Sequence, residues 1–254
     1  MPDSSLFAKP DIFSASRILV VQPHYDDNDI FAGGTLARLV EQGTELVYLT
    51  VTDDLVGVID QSLTSIQMAT WLKDNQIKAG EIIGAKEQHW LEYPDAGNYD
   101  YFDVRRDIIK YIRMIRPDFI MTCDPWLLYE FHNDHIITGK AVAEAASLFG
   151  MTRLTTTPDV DEAFIADPFD VKGIAFYATD HPNTIVDVSN VWEKKKNAVA
   201  QYTAQFSEED MDRLQKRLEL SAQHEARQSE FTHAESIKVM YTWQLHGFAQ
   251  AWKV

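Results

Sequence analysis

Short apolar runs rich in β-branched residues alternate along this chain with longer stretches whose apolar positions recur every three or four residues. Residues 17–22 (RILVVQ) and 45–52 (ELVYLTVT) show the first pattern and suit strands buried on both faces. Between them PHYDDNDIFAGG is polar and turn-rich, and TLARLVEQG carries Leu36, Leu39 and Val40 on one helical face closed by Gly43. The pattern predicts a loop over 53–64, a helix over 65–83 stopping at Gly84, a strand at 89–93, and a helix over 101–116 ending before Pro117. An apolar strand (DFIMTC, 118–123) follows, and WLLYEFHNDH makes a loop before an alanine-rich helix.

Strands alternating with helices of this length predict an α/β fold: a Rossmann-like, doubly wound, mostly parallel sheet with helices on both faces. In such sheets ligands bind beyond the carboxyl ends of the strands. Further on, 173–179 and 183–189 read as strands, and VWEKKKNAVAQYTAQF as an amphipathic helix. From Ser207 to Arg227 the chain is charged and helix-prone, with Leu214, Leu218 and Leu220 as a thin apolar stripe. With no linker-like tract or internal repeat, residues 1–254 are expected to form one domain with 207–254 as a helical C-terminal extension.

Composition narrows the partners. Hydrophobic residues make up 45% of the 254 positions and charged residues 24%, as in ordinary globular chains. The net charge of -16 repels phosphate backbones and anionic lipid, so neither nucleic acid nor a membrane is an expected partner. A single cysteine, Cys123, excludes an intrachain disulfide and a cysteine-rich zinc site. The opening residues lack a basic segment followed by a long apolar run, and the expected address is the cytoplasm.

Two polar clusters sit at strand ends. His24-Tyr25-Asp26-Asp27 follows the first strand, and neutral imidazole with deprotonated carboxylate is what a divalent cation requires. His24 and Asp27, three apart on a tight turn, suit one ion, with Asp26 beside it; the same acids also suit a helix start. His132-Asn133-Asp134-His135 follows the 118–123 strand and opens a helix, a spacing that suits one histidine on metal with the other facing substrate, and equally a pair of surface or capping histidines. Three protein ligands with an open fourth position is the catalytic zinc arrangement.

QPHYDDNDIFAGGTLARL, followed about a hundred residues later by RPDFIMTCDPWLLYEFHNDH, resembles the LmbE-like, or PIG-L, zinc de-N-acetylases. Through VKGIAFYATDHPNTIVDVSNVWEKKKNAVAQYTAQF the resemblance spans most of residues 17–206, and its motifs are most similar to the diacetylchitobiose deacetylase branch. It implies His24, Asp27 and His135 as ligands of Zn2+ and Asp26 as the general base. It implies further that His132 steadies the oxyanion or protonates the leaving amine, and that Asp134 orients a histidine. The implied reaction removes an N-acetyl group from N-acetylglucosamine or a short saccharide containing it. A homo-oligomer, trimer or hexamer, is the implied assembly.

The chain departs from the family pattern in three places. Tyr25 replaces a proline, which adds bulk and loosens the turn. Asn28 stands where a glutamate is usual, leaving Asp29 to do that job. Lys73, or Leu72, and Asn75 replace the arginine and glutamate of a sugar-gripping pair, and Lys lacks the planar fork of Arg. Asp95 matches an aspartate that contacts sugar hydroxyls or, equally, makes a turn before Gly97. His233 matches a site-closing histidine, with His224 as competitor. Trp126 belongs to an apolar run (126–131) read as a pocket rim or subunit interface. The alternative chemistry is metal-dependent hydration of an unsaturated carboxylic acid on the same scaffold, with Arg38, Lys73 and Lys86 as candidate carboxylate binders.

Overall fold

A computed structural model describes residues 4–254. Its sheet contains β1 (Arg17–Gln22), β2 (Glu45–Thr52), β3 (Glu87–Tyr93), β4 (Phe119–Cys123), β5 (Gly173–Tyr177), β6 (Thr184–Asp187) and β7 (Ala234–Met240). The order is β3-β2-β1-β4-β5-β7-β6. The first five strands are parallel, and β7 runs antiparallel to both β5 and β6.

β1 lies between β2 and β4, so alternate side chains face different helical layers. Ile18 and Val20 join one core while Leu19 and Val21 join the other, and all four are fully buried. Each such burial contributes about 1.5–3 kcal/mol, which explains why no polar residue interrupts the run before Gln22. Helices α1 (Asp27–Glu41), α2 (Ser65–Ile83), α6 (Trp192–Val199) and α7 (Glu208–Ala226) cover one face. Helices α3 (Tyr101–Ile115), α4 (Asn133–Leu148) and α5 (Pro158–Ala166) cover the other. α2 has the bounds expected from its pattern, capped by a Thr64–Gln67 box and ended by Gly84 at φ 108°.

From β1 the chain winds outward through β2 to β3, then returns to place β4 on the other side of β1. The carboxyl ends of β1 and β4 therefore flank the point where strand order reverses, and both polar clusters open there.

The stretch 207–254 is not a helical extension. It is helical to Ala226, but Ala234–Met240 is a strand inside the sheet. Buried Glu235 and Lys238 hide its period of two. Glu235 shares a face with Ile237 and Val239 and accepts the Gly34 and Thr35 N–H groups (3.0 and 2.6 Å) and the Lys195 ammonium (2.6 Å). Gly34 is required there, because a Cβ would fall 2.8 Å from Val188 and 2.9 Å from that carboxylate.

Candidate active site and metal centre

The turn after β1 is pinned from below. Gln22, the polar end of an apolar strand, donates to the Tyr25 carbonyl (3.0 Å) and Thr50 Oγ1 (2.9 Å) and accepts the Asn28 N–H (2.8 Å). Thr52 Oγ1 donates to the Pro23 carbonyl (2.8 Å). Tyr25 does not loosen the turn: its N–H, which a proline would lack, donates to Asp54 Oδ2 (3.1 Å), and its buried ring stacks on Trp90. Asp26 begins α1, and Asp27 accepts the His24 N–H at Oδ2 (2.9 Å). Asp29, one turn along, accepts the Tyr48 (2.6 Å) and Tyr202 hydroxyls, anchoring the helix start in the core.

The second cluster hangs on the loop from β4 to α4. His132 occupies the N-cap with extended backbone (φ -74°, ψ 112°), placing His135 in the first turn. Gly139 lets α4 approach the strand end, since a Cβ there would lie 2.7 Å from the Cys123 carbonyl. Asp134 accepts the Ala96 N–H (2.8 Å) and the Tyr99 hydroxyl (2.7 Å).

The two clusters meet. His24 Nδ1 lies 3.2 Å from Asp27 Oδ2 and 3.3 Å from His135 Nε2, and His135 Nε2 lies 3.4 Å from Asp27 Oδ1. Ligands about 2.0–2.1 Å from a tetrahedral zinc stand about 3.3–3.4 Å apart, so this donor set fits the ion in spacing and in chemistry. A second convergent group, His24, Asp95, His132 and Asp134, shares His24. Its carboxylates are committed elsewhere: Asp134 to Ala96 and Tyr99, and Asp95 Oδ2 to the Val56 N–H (3.0 Å). Asp95 Oδ1 and Asp134 Oδ2 stand 3.4 and 3.5 Å from His24 Nε2, so in a metal-bound state the carboxylates would favour a proton on Nε2 and turn the Nδ1 lone pair toward Asp27 and His135.

The electrostatics ask for a cation. Burial opposes charge on His24, yet the surrounding carboxylates of Asp134, Asp27 and Asp95 outweigh it and hold its pKa far above the usual value. Asp27 is lowered despite burial by its two histidine neighbours. Burial and the adjacent Asp27 charge push Asp26 up to about 7, into the range of a working base. Desolvation and the neighbouring His24 and His135 lower the pKa of His132, keeping its imidazole neutral.

Of the residues expected at the site, His24, Asp26, Asp27, His132, Asp134 and His135 are gathered there. Asp95 is close, but its side chain is buried against Val56 and His24. Trp126 lies half-exposed on the rim over Phe176, and the loop's Leu128, Tyr129 and Phe131 are exposed rather than core. Lys73 is not brought to the cluster: it pairs with Glu92 and sits 5.4 Å over Trp90, one aromatic layer behind Tyr25. Asn75 accepts the Ala204 N–H (2.9 Å), a structural bond. His233 is held elsewhere, against Glu219 (2.7 Å) and stacked on Trp192 at 4.7 Å, because β7 carries it to the α6–α7 side. Sequence reasoning missed Gln22, Asp54 and Glu130, whose partners are distant in the chain or depend on loop geometry.

A family profile described as PIG-L, GlcNAc-PI de-N-acetylase, matches residues 19–146. The chain is 32% identical over 222 residues to a diacetylchitobiose deacetylase of Thermococcus kodakarensis, covering 87% of this chain and 82% of that protein. It also resembles the solved N,N'-diacetylchitobiose deacetylase of Pyrococcus horikoshii, with a TM-score of 0.84, 27% identity, and coverage of 98% of this chain and 93% of that one. GalB, the 4-carboxy-2-hydroxymuconate hydratase of Pseudomonas putida, shares the fold at a TM-score of 0.70 and 18% identity, over 89% of this chain and 96% of that one.

Proposed function

Because the chain belongs to the PIG-L family of de-N-acetylases, we propose that it hydrolyses the acetamide of N-acetylglucosamine, or of a short saccharide containing it, and releases acetate. The observation that carries this reading is a three-donor cluster spaced 3.2–3.4 Å with a buried acid, Asp26, beside it. His24, Asp27 and His135 would hold zinc, which when bound supplies a Lewis acid that acidifies water and polarises the acyl oxygen. Asp26 takes a proton from water as its oxygen attacks the acetyl carbon. His132, neutral and on the open side, donates a hydrogen bond to the oxygen that gains charge. When the C–N bond breaks, the proton held by Asp26 passes to the sugar nitrogen, leaving amine and acetic acid, which ionises to acetate.

The surroundings favour this over hydration of an unsaturated acid. Asp95, Glu130 and Asp134 ring the cluster, whereas the basic candidates are spent outside it: Arg38 on Glu41, Lys73 on Glu92 and Lys86 on Glu45. A carboxylate substrate would meet like charge; a neutral acetamide would not. No helix among the described residues is long and apolar enough to cross a membrane. The exposed Leu128, Tyr129 and Phe131 beside the site support a homo-oligomer, to be tested by light scattering. The test of the reaction is acetate release by zinc-loaded protein from N-acetylglucosamine and its dimer and trimer, alongside absorbance loss of unsaturated dicarboxylates. Acetate without absorbance change is expected; the converse would favour the hydratase reading.

A further inference from the structure

One carboxylate on the β4–α4 loop touches both histidines of the second cluster. Glu130 Oε1 accepts the His132 backbone N–H at 2.8 Å, and Glu130 Oε2 lies 3.1 Å from His135 Nδ1. The flanking Tyr129 and Phe131 are each 89% exposed, so the loop turns two aromatics outward and tucks the acid between them inward, its side chain 15% exposed. An unpaired surface acid would have the opposite preference.

We infer that Glu130 is a positioning residue that orients His135 for metal and fixes His132 for substrate. The inference rests on the ligand set proposed above. An imidazole offers one lone pair, and its direction depends on which nitrogen carries the proton. A carboxylate 3.1 Å from Nδ1 favours the tautomer with its proton on that side by charge, and that tautomer leaves the Nε2 lone pair toward His24 and Asp27, 3.3 and 3.4 Å away. His24 is held in the mirror sense, with Asp95 and Asp134 at its Nε2 and its Nδ1 turned inward. Each imidazole of the cradle thus has acid at its far nitrogen. The same Glu130 side chain occupies the His132 N–H at the helix start, so the distance between the ligating and the substrate-facing imidazoles is set through one group.

The test measures zinc affinity of the full chain by competition with a chromophoric chelator, for wild type, Glu130→Gln, Glu130→Ala and His135→Ala. It is read beside 15N–1H spectra of the imidazoles of the zinc-loaded wild type. Glu130→Gln keeps the shape but, as a neutral amide with one acceptor oxygen, cannot serve both partners. It is expected to weaken zinc binding about 10- to 100-fold with an unchanged fold by circular dichroism. His135→Ala should weaken it more, and the wild-type spectrum should show His135 protonated at Nδ1. Glu130→Gln affinity within about twofold of wild type, while His135→Ala is impaired, would overturn the inference and leave the ligand set standing. Equal affinity of wild type and His135→Ala would overturn the ligand set, and the inference with it. A wild-type spectrum with the His135 proton on Nε2 overturns the inference even if no variant folds.

Discussion

The two halves of the site are built differently. The His24–Asp27 turn is sealed, with His24, Asp26 and Asp27 at most 8% exposed and Gln22, Thr50, Tyr48 and Tyr202 bonded beneath them in the core. The 124–132 loop stands in solvent with its aromatics turned outward, and its His132 side chain is 33% exposed. The first half draws its geometry from the sheet; the second draws it from Glu130, Asp134 and the start of α4. The sealed half carries two of the three proposed ligands and the proposed base, which must hold still during turnover, and the open half adds the third, His135, and the substrate-facing His132. The contrast also accounts for the departure at Tyr25, since a turn clamped by Gln22 and Asp54 has no need of a proline's fixed φ.

The largest effect should come from emptying the sealed half. His24→Ala or Asp27→Ala is expected to lose bound zinc by elemental analysis and to lower acetate release by at least about 10⁴-fold. Next comes Asp26→Asn, expected to keep its zinc and cost about 10²–10⁴-fold in turnover. In the proposed role Asp26 acts in its ionised form, so kcat/KM should rise with pH through a pKa no higher than about 7, which a bound cation would pull below that value. The Asn variant should lose this acidic limb, and a pH–rate profile of both proteins checks it.

A smaller change separates the halves by stability. Gln22→Ala strips a fully buried three-bond clamp and should destabilise the protein by about 1–3 kcal/mol in urea unfolding. Tyr129→Ser with Phe131→Ser should change stability by no more than about 0.5 kcal/mol, because both side chains lie in solvent, while moving KM or the mass measured by light scattering. A loop pair as destabilising as Gln22→Ala would erase the contrast.

Much of this architecture is legible in the chain because its signals are local. β1, β2 and α2 have the bounds their apolar patterns predict, and His24, Asp27, His132 and His135 lie in two short clusters immediately after strands. What stays hidden depends on contacts between distant segments. β7 reads poorly because Glu235 and Lys238 look exposed until Gly34, Thr35, Lys195 and the Trp252 and Val254 carbonyls are folded against them. Gln22 and Glu130 carry no pattern, and only three-dimensional partners reveal them. Lys73 and His233 match family positions only by their place in the sequence, and the fold sends both side chains elsewhere.

The central claim is that this cluster holds a metal which the chain uses to cleave an acetamide. The most direct measurement is acetate release from the N-acetylglucosamine disaccharide as chelator-stripped protein is titrated with zinc. The account predicts no release from the stripped protein and a rate that climbs to a plateau at one equivalent of zinc per chain. Equal rates with and without zinc, or no acetate at any zinc ratio from folded protein, would contradict it.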